Sequence, residues 1–348
     1  MSITIQKCQR FYNSTMPMIE KSSFEQVQIH ASQFPQKVYQ AYLNGFCENK
    51  IAHKFHYDSV KQSQKWLALH QAFSPSWHDQ ACILAYTHCF EKTMLMLDEH
   101  CPIEIIGLGC GEGSKDNQLI SNILKKNQTL TYYPVDVSVA LAVMAAQKVR
   151  EHNPHVLVKP IVCDLLFAND LMTLLTLPYR SQRILTFFGM VPNFLPHDIM
   201  PILSHFLNVG DLLLISANLA PGPDYGEGVK KILPQYDNAL TRDWLFTVLN
   251  DAGILSGQGH IVFKIENDPK FEELHKIVAS FEFIQKTTLT LDGQTFTWQT
   301  NDQMQLFFSY RYTTNKIINL LSEYGITVIE AWEAASQEEA IYLCQKIK

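Results

Sequence analysis

The chain has 348 residues, of which 47% are hydrophobic and 18% charged, and its formal net charge is −6. This length suits an α/β core with a second substructure, and the composition indicates a filled core and excludes a disordered chain. The basic residues are scattered along an acidic chain and form no positive cluster, so we expect no nucleic-acid partner.

Between residues 100 and 220, short aliphatic or β-branched runs alternate with longer helical patterns, as in the βα units of a parallel sheet. Helices are predicted over Asn117–Lys126 and over the alanine-rich Val139–His152. Five strands separated in this way predict an α/β protein with a doubly wound sheet. The strands are predicted at Ile103–Leu108, Leu130–Val135, Val158–Val162, Arg183–Phe188 and Asp211–Ala217.

The pattern changes at Ala220–Asp224 (APGPD), which continues neither a helix nor a central strand and marks a domain boundary. A turn is predicted at Asp292-Gly293. The elements beyond the boundary predict a smaller α+β unit. They are a helix at Thr241–Ala252 and strands at His260–Glu266, Phe281–Leu291 and Thr295–Thr300.

After Gln305, a helical pattern at Asn315–Tyr324 precedes two strand-like runs, Ile326–Trp332 and Ala340–Ile347. These two runs predict an antiparallel hairpin that completes the first sheet. The predicted division of the chain is the N-terminal part of a substrate domain (1–75), a core (76–220), an inserted substrate-binding α+β domain (221–304) and a C-terminal completion of the core sheet (305–348).

The strongest local motif is Ile105–Gly113 (IIGLGCGEG), in which a strand runs into closely spaced glycines and then a helix. Glycines let the backbone turn sharply and approach a ligand at a helix N-terminus, so Gly107, Gly109 and Gly111 are candidate cofactor contacts. A dinucleotide site prefers GxGxxG, which this spacing does not provide. The motif favours S-adenosylmethionine (SAM), with a dinucleotide site or a purely structural turn as alternatives.

Two aspartates follow the next predicted strands. Asp136 ends Tyr133-Pro134-Val135-Asp136, where a carboxylate can accept both ribose hydroxyls of SAM, and Asp164 follows Val162-Cys163, where it can accept the adenine amino group. The alternative is that each aspartate only caps the helix after it. Their occurrence with the glycines at successive strand ends favours the cofactor site.

Several segments together resemble the SAM-dependent histidine Nα-methyltransferase family of ergothioneine biosynthesis, of which this chain looks like a divergent member. The resemblance runs from Tyr57 to the C-terminus, and its most specific segment is the turn at Asn193 followed by Phe-x-Pro. It implies a class I SAM methyltransferase fold with a second, smaller substrate-binding domain. The matching segments are GLGCGEGSK (Gly107–Lys115), PVDVS (Pro134–Ser138), LTFFGMVPNFLP (Leu185–Pro196), VGDLLLISANL (Val209–Leu219) and YDN (Tyr236–Asn238).

The resemblance implies roles for individual residues. It places Lys115 beside SAM, together with Gly109, Gly111, Asp136 and Asp164. Asn193 and Tyr236 match the residues that hold the carboxylate of an amino-acid substrate, and Tyr57 matches a tyrosine near the substrate amine. Tyr57 is therefore the candidate catalytic residue, as a partner for the amine proton. Without the resemblance, each tyrosine is equally explained as a core residue with a hydrogen-bonded hydroxyl.

The chain departs from the family pattern at several positions. Gly107 replaces the usual acidic residue before the glycines, which removes a contact to the methionine end of SAM. Phe73-Ser74 stands where paired tyrosines are expected, and Trp77 where an arginine is expected. In the C-terminal match, Phe307 replaces the glutamate that recognises imidazole, whereas Ser309 is kept on the same strand face.

The predicted function is therefore SAM-dependent N-methylation of a small amino acid or related amine other than histidine. The alternatives are O-methylation or another methyl transfer in small-molecule metabolism, and a non-catalytic SAM-binding module. We expect no metal, because His53 and His56 form the only local histidine cluster and metal sites need three or four ligands. We also expect a cytoplasmic protein without membrane contact, a small-molecule acceptor as partner, and a monomer, with a dimer as the alternative.

Overall fold

A computed structural model describes residues 25–126, 129–175, 180–271 and 274–347. The helices, numbered in chain order, are α1 (Pro35–Cys47), α2 (Val60–Phe73), α3 (Pro75–His78), α4 (Gln80–Met96), α5 (Ser114–Ile123), α6 (Val139–His152), α7 (Leu171–Leu174), α8 (Pro196–Phe206), α9 (Tyr225–Tyr236), α10 (Ala239–Ala252) and α11 (Thr314–Glu323). The strands are β1 (Gln28–Ile29), β2 (Ile103–Leu108), β3 (Leu130–Asp136), β4 (Leu157–Val158), β5 (Ile161–Val162), β6 (Gln182–Phe187), β7 (Leu212–Asn218), β8 (Gly259–Asn267), β9 (His275–Phe283), β10 (Thr287–Leu291), β11 (Gln294–Trp298), β12 (Gln303–Arg311), β13 (Ile326–Glu333) and β14 (Glu339–Lys346).

The larger sheet has the order β1-β5-β3-β2-β6-β7-β14-β13, with β4 also paired to β3. Its strands are parallel except for β14, which runs antiparallel to both β7 and β13. Strands β2 and β3 are buried along their whole length, which explains why most of their residues are apolar or aromatic. The predicted doubly wound α/β sheet, completed by a C-terminal hairpin, is confirmed.

The chain order changes direction between β2 and β6. From β2 the chain builds β3 and β5 on one side, then crosses to build β6 and β7 on the other. Ligands of such sheets bind at the carboxyl ends of the strands, beside this point of reversal. The glycine loop after β2 and the ends of β3, β5 and β6 therefore surround the expected ligand site.

A smaller lobe contains the antiparallel sheet β12-β9-β8 and the hairpin β10-β11. Asp292 and Gly293 have φ angles of 49° and 76° in the hairpin turn, as the Asp-Gly pair predicts. The core of this lobe is aromatic and includes Phe46, Trp244 and Phe281. Helices α1 and α2 pack into the same core.

Two predicted strands are divided in the structure. The run Phe281–Leu291 comprises the end of β9 and all of β10, which belong to different sheets, and β9 begins earlier than predicted, at His275. The two strands are separated by Ile284–Lys286, and polar residues like those in this segment also occur on the exposed face of a continuous strand, so they did not indicate a change of sheet. The run Val158–Val162 is divided into β4 and β5 around Pro160, which lacks the N–H that a continuous strand would use.

Two predicted domain limits also differ from the strand pairing. The limit at residue 305 falls inside β12, which pairs with β9 and so belongs to the smaller sheet. Strand β1 lies in the N-terminal region that was predicted to join the substrate domain, yet it pairs with β5 at the edge of the larger sheet. Both pairings join residues distant in sequence, so no local pattern indicated them.

Candidate functional site

A cavity of about 800 Å³ lies between the carboxyl ends of the larger sheet and the smaller lobe, a volume typical of small-molecule sites. The structure brings almost all of the predicted site residues to its wall. Gly107 does not line it, because it lies within β2 behind the wall. The predicted residues that line the cavity are Tyr57, Phe73, Gly109, Gly111, Lys115, Asp136, Asp164, Asn193, Tyr236, Phe307 and Ser309.

The glycine loop adopts a backbone that side chains disfavour. Gly109 and Gly111 have φ angles of 63° and 55°, and a Cβ added at Gly111 would come within 3.0 Å of the Trp66 ring. The N–H of Gly111 donates to Asp136 Oδ2 over 3.0 Å, and the N–H of Ser138 donates to Asp136 Oδ1 over 2.9 Å. The loop and the end of β3 are thus held together by one carboxylate.

Asp136 is 7% exposed and lies on the cavity wall. Burial raises the pKa of its carboxyl to about 6, and the backbone N–H donors oppose this shift. Each oxygen receives one backbone hydrogen bond and retains acceptor capacity. The group is therefore ready to accept further hydroxyl donors from a ligand.

The carboxylate of Asp164 already has partners in the protein. Its Oδ2 forms an ion pair with Lys54 Nζ at 3.0 Å, and its Oδ1 accepts the N–H of Leu166 over 3.2 Å. The capping role that the sequence offered as an alternative is therefore filled by Oδ1, whereas Oδ2 forms the ion pair. Lys54 was missed by sequence reasoning, because the two residues are 110 positions apart. The contact of Asp164 with adenine stays a prediction.

Lys115 reaches the cavity beside a buried acidic group. Its Nζ lies 3.9 Å from Glu339 Oε1 and 4.5 Å from the centre of the Tyr86 ring. The Tyr86 hydroxyl donates to Glu339 over 2.5 Å. Lys115 is thus held at the wall by an ion pair and a cation–π contact.

Tyr236, Ser309 and Arg311 form a hydrogen-bonded group at the other end of the cavity. The Tyr236 hydroxyl donates to Ser309 Oγ and accepts from Arg311 Nη2, both over 2.8 Å. The Arg311 guanidinium is 6% exposed and lies 5.3 Å from the centre of the Tyr236 ring. Arg311 forms no ion pair with any described residue, and its Nε has no hydrogen-bond partner. A buried cation of this kind calls for an anion.

Arg311 was not named from the sequence. Strand alternation offered a signal, because Phe307, Ser309 and Arg311 are two residues apart and share a face of β12. Their cross-strand partners on β9 are Ala279, Ile277 and His275, and the bulge in this pair lies before Phe307. The prediction that Phe307 and Ser309 share a face is consistent with this pairing.

Phe307 forms an aromatic wall with residues of the smaller lobe. Its ring stacks on His53 at 4.8 Å between centroids and meets Trp244 edge-on at 5.7 Å. His53 Nε2 accepts the N–H of Phe308 over 3.2 Å, and burial lowers the pKa of His53 to about 3. His53 is therefore a neutral ring of the wall.

Tyr57 and Asn193 approach the cavity from opposite lobes. The Tyr57 ring packs edge-on against Trp66 and Trp244, and both burial and the charge of Asp136 raise the pKa of its phenol. Asn193 ends a 3-10 turn after β6, and this turn packs against β12. Its side-chain amide has no hydrogen-bond partner among the described residues.

The match to a family model decides the classification. The model for SAM-dependent, histidine-specific methyltransferases matches residues 90–346, about three quarters of the chain. The chain belongs to this family. It is a SAM-dependent methyltransferase, and the α/β sheet described above is that of class I SAM methyltransferases. No curated protein matches the methyltransferase sequence.

Solved structures of other methyltransferases are similar to the chain at low identity. Magnesium protoporphyrin IX methyltransferase from Synechocystis PCC 6803, with bound S-adenosylhomocysteine (SAH), is 10% identical over 84% of this chain and 97% of its own, with a TM-score of 0.44. The 1,6-didemethyltoxoflavin N1-methyltransferase of Burkholderia thailandensis, with its substrate and SAH, is 11% identical over 82% and 91%, with a TM-score of 0.37.

The residues at the glycine end of the cavity fit SAM. A buried carboxylate with spare acceptor capacity, Asp136, suits a ribose, and the Gly109–Gly111 backbone leaves room for a ligand to approach closely. Bound SAM supplies a methyl group on an activated sulfonium carbon. The methyltransferase therefore needs no covalent nucleophile of its own.

The described residues contain neither a metal-binding cluster nor a membrane-spanning helix. Over 25–126, 129–175, 180–271 and 274–347, no three histidine, cysteine, aspartate or glutamate side chains are grouped closely enough to hold a metal ion. His56 Nε2 donates instead to the carbonyl of Leu306 over 2.6 Å. In the same ranges, every helix is too short or too polar to cross a bilayer.

Proposed function

We propose that the methyltransferase acts on the amino group of a small amino acid or related amine other than histidine. The observation that carries this proposal is the buried guanidinium of Arg311, which has no anionic partner among the described residues and lies beside Tyr236 on the cavity wall. A substrate carboxylate is the natural partner for a buried guanidinium. With Asn193 at the same wall, Tyr236 and Arg311 form the proposed carboxylate clamp.

The aromatic wall supports a side chain other than imidazole. Phe307 replaces the acidic residue that the family uses for imidazole, and its neighbours His53 and Trp244 are also rings. None of these three groups carries a negative charge for an imidazole N–H. An apolar or aromatic acceptor side chain packs on this wall without leaving a polar atom unpaired.

The protein's contribution to methyl transfer is alignment and the exclusion of water. Asn193, Tyr236 and Arg311 fix one end of the acceptor, so that its amine points toward the glycine end of the cavity. The raised pKa of Tyr57 keeps its phenol protonated at neutral pH, which makes it a hydrogen-bond partner for the amine and excludes it as a strong base. The amine proton leaves to water before the attack.

The test compares amino acids with the amines that lack only the carboxylate. Initial rates are measured with SAM for tryptophan against tryptamine and for leucine against 3-methylbutylamine. We expect each amino acid to exceed its amine by about 10- to 100-fold in kcat/KM, as expected for a charge-assisted contact. Arg311→Met should abolish this preference, and Arg311→Lys is the matched control that keeps the positive charge.

Two results would contradict the proposal. Equal kcat/KM values for the amino acid and the amine of each pair would contradict the proposed carboxylate clamp. A product that mild alkali cleaves to methanol would be a methyl ester, which is the alternative of O-methylation. An N-methyl group survives this treatment, so mass spectra of the product recorded before and after alkali distinguish N-methylation from O-methylation.

A further inference from the structure

A carboxylate from another element fills the space at Gly107. A Cβ added to Gly107 would overlap the carboxylate of Asp116, and it would also lie 3.1 Å from the Tyr132 hydroxyl. Asp116 belongs to the first turn of α5, nine residues later in the chain. The strand position that lacks its usual acidic side chain is therefore occupied by an acidic group delivered from the helix.

Asp116 is held in place by neutral donors. It is 3% exposed, and its Oδ2 accepts the Tyr132 hydroxyl over 2.6 Å while its Oδ1 accepts the Thr186 hydroxyl over 2.7 Å. No cation of the described residues forms an ion pair with it, and the neighbouring Lys115 side chain points to Glu339. Hydroxyl donors orient a buried carboxylate but do not neutralise it. The charge of Lys115 is felt at Asp116, but among the described residues Asp116 has no ion-pair partner of its own.

The position of Asp116 relative to the sheet indicates the source of such a partner. Its carboxylate lines the cavity over Gly107 of β2, where it contacts Tyr132 of β3 and Thr186 of β6, whereas Asp136 lies beyond it at the carboxyl end of β3. If Asp136 receives the ribose, the portion of SAM beyond the ribose faces β2 and β6. That portion is methionine, which carries an ammonium group.

We propose that Asp116 binds the methionyl ammonium of SAM, in place of the acidic side chain that Gly107 lacks. The acidic group that β2 lacks at Gly107 is then supplied by α5. The alternative is a purely structural role, in which Asp116 stabilises the first turn of α5 and joins it to Tyr132 and Thr186. The two roles differ in which ligands they affect.

Calorimetry with two ligands separates these roles. SAH carries the methionyl ammonium, whereas 5′-methylthioadenosine keeps the adenosine and the thioether but lacks the amino-acid moiety. We expect Asp116→Asn to weaken SAH binding by about 10- to 100-fold and to change the Kd of 5′-methylthioadenosine by less than about twofold. The matched control, Asp136→Asn, should weaken both ligands by similar factors.

A swap of the acidic residue tests this replacement directly. Gly107→Asp alone should destabilise the fold, because the new side chain overlaps Asp116. The double variant Gly107→Asp/Asp116→Thr should fold and regain most of the SAH affinity that Asp116→Asn loses. If Asp116→Asn itself does not fold, the proposal is tested by the ratio of the Kd of 5′-methylthioadenosine to the Kd of SAH in the double variant.

The proposal is overturned if Asp116→Asn weakens both ligands equally or neither. It is also overturned if a folded double variant binds SAH no better than 5′-methylthioadenosine. Neither ligand contains the methyl acceptor, so these outcomes are independent of whether the acceptor is an amino acid. Failure of the proposed function and failure of this inference are therefore distinguishable.

Discussion

Asp136 links the glycine loop to the end of β3, and its proposed role is to bind the ribose of SAM. In this role, Asp136→Ala removes the acceptor of two ribose hydroxyls, and hydrogen bonds to charged groups contribute about 1.5–3 kcal/mol each. We expect SAM to bind at least about 100-fold more weakly, measured by calorimetry. Melting curves recorded without ligand measure how much stability the variant loses with the hydrogen bond from the Gly111 N–H, and they serve as the control. Unchanged affinity in a folded variant would show that the cofactor binds elsewhere.

Phe307 is the residue that sets the expected choice of acceptor. Histidine should be a poor substrate, because its imidazole N–H finds no charged acceptor at Phe307, and a mismatch of this kind costs several powers of ten in kcat/KM. The Ser309 hydroxyl can still hydrogen-bond the imidazole, so weak residual turnover of histidine is compatible with this prediction. Rates are compared for histidine, tryptophan, tyrosine, phenylalanine and leucine.

The variant Phe307→Glu should gain histidine turnover. The new carboxylate lies next to His53, which stacks on the Phe307 ring, so Phe307→Gln serves as the uncharged control. Circular dichroism confirms folding in both variants. Efficient histidine methylation by the unaltered enzyme would disprove this account of specificity.

At the scale of elements, the acceptor end of the cavity is assembled from the C-terminus of α9, the turn after β6 and one face of β12. Asn193→Ala and Tyr236→Phe should each raise the KM of the acceptor while SAM binding stays near normal, because the first removes a donor of the proposed carboxylate clamp and the second removes the hydroxyl that holds Ser309 and Arg311. Steady-state kinetics and calorimetry measure the two effects separately. Tyr236→Phe also leaves Ser309 and Arg311 without their shared partner, so we expect the larger effect there, about 10-fold or more. Variants that behave like the unaltered enzyme would argue against an amino-acid acceptor.

At the scale of the whole molecule, the two lobes meet across the cavity through buried polar contacts. The Lys54–Asp164 ion pair joins the smaller lobe to the end of β5, and both side chains are about one-tenth exposed. In the same segment as Lys54, His56 is buried and His53 is half-buried, and both are neutral. Burial lowers the pKa of His53 to about 3 and that of His56 to about 4.

These two histidines predict a loss of stability in acid. Their folded pKa values lie below the unfolded value of 6.5, so unfolding takes up protons at pH 5 and each imidazole lowers the free energy of unfolding by about 2 kcal/mol relative to pH 7. Asp136 changes the free energy of unfolding in the opposite direction. Because its folded pKa is raised, its protonation adds about 1 kcal/mol to this free energy as the pH falls from 6 to 5. Urea denaturation at pH 7 and pH 5 measures the net decrease.

His56→Gln is the variant that checks this attribution. The glutamine amide keeps a donor for the carbonyl of Leu306 but does not titrate, so the decrease between pH 7 and pH 5 should be about 2 kcal/mol smaller. An equal decrease in the variant and the unaltered protein would assign the acid sensitivity to other groups.

The sequence by itself determined the elements whose signals are local. Strand Ile103–Leu108 and helix Val139–His152 have the predicted bounds, because a short, mostly aliphatic run and a 3.6-residue period depend only on neighbouring residues. The glycines and Asp136 follow from the same βα repeat, which brings successive strand ends to one edge of the sheet.

Only the tertiary structure decided which distant residues meet. Arg311 and Tyr236 are 75 residues apart, and Asp116 reaches the space at Gly107 only because α5 folds back over β2. Pairings of this kind depend on how layers pack, and packing leaves no period in the sequence. For the same reason, the run Phe281–Leu291 gave no sign that it changes sheets, whereas β9 pairs with β8 and β12, and β10 only with β11.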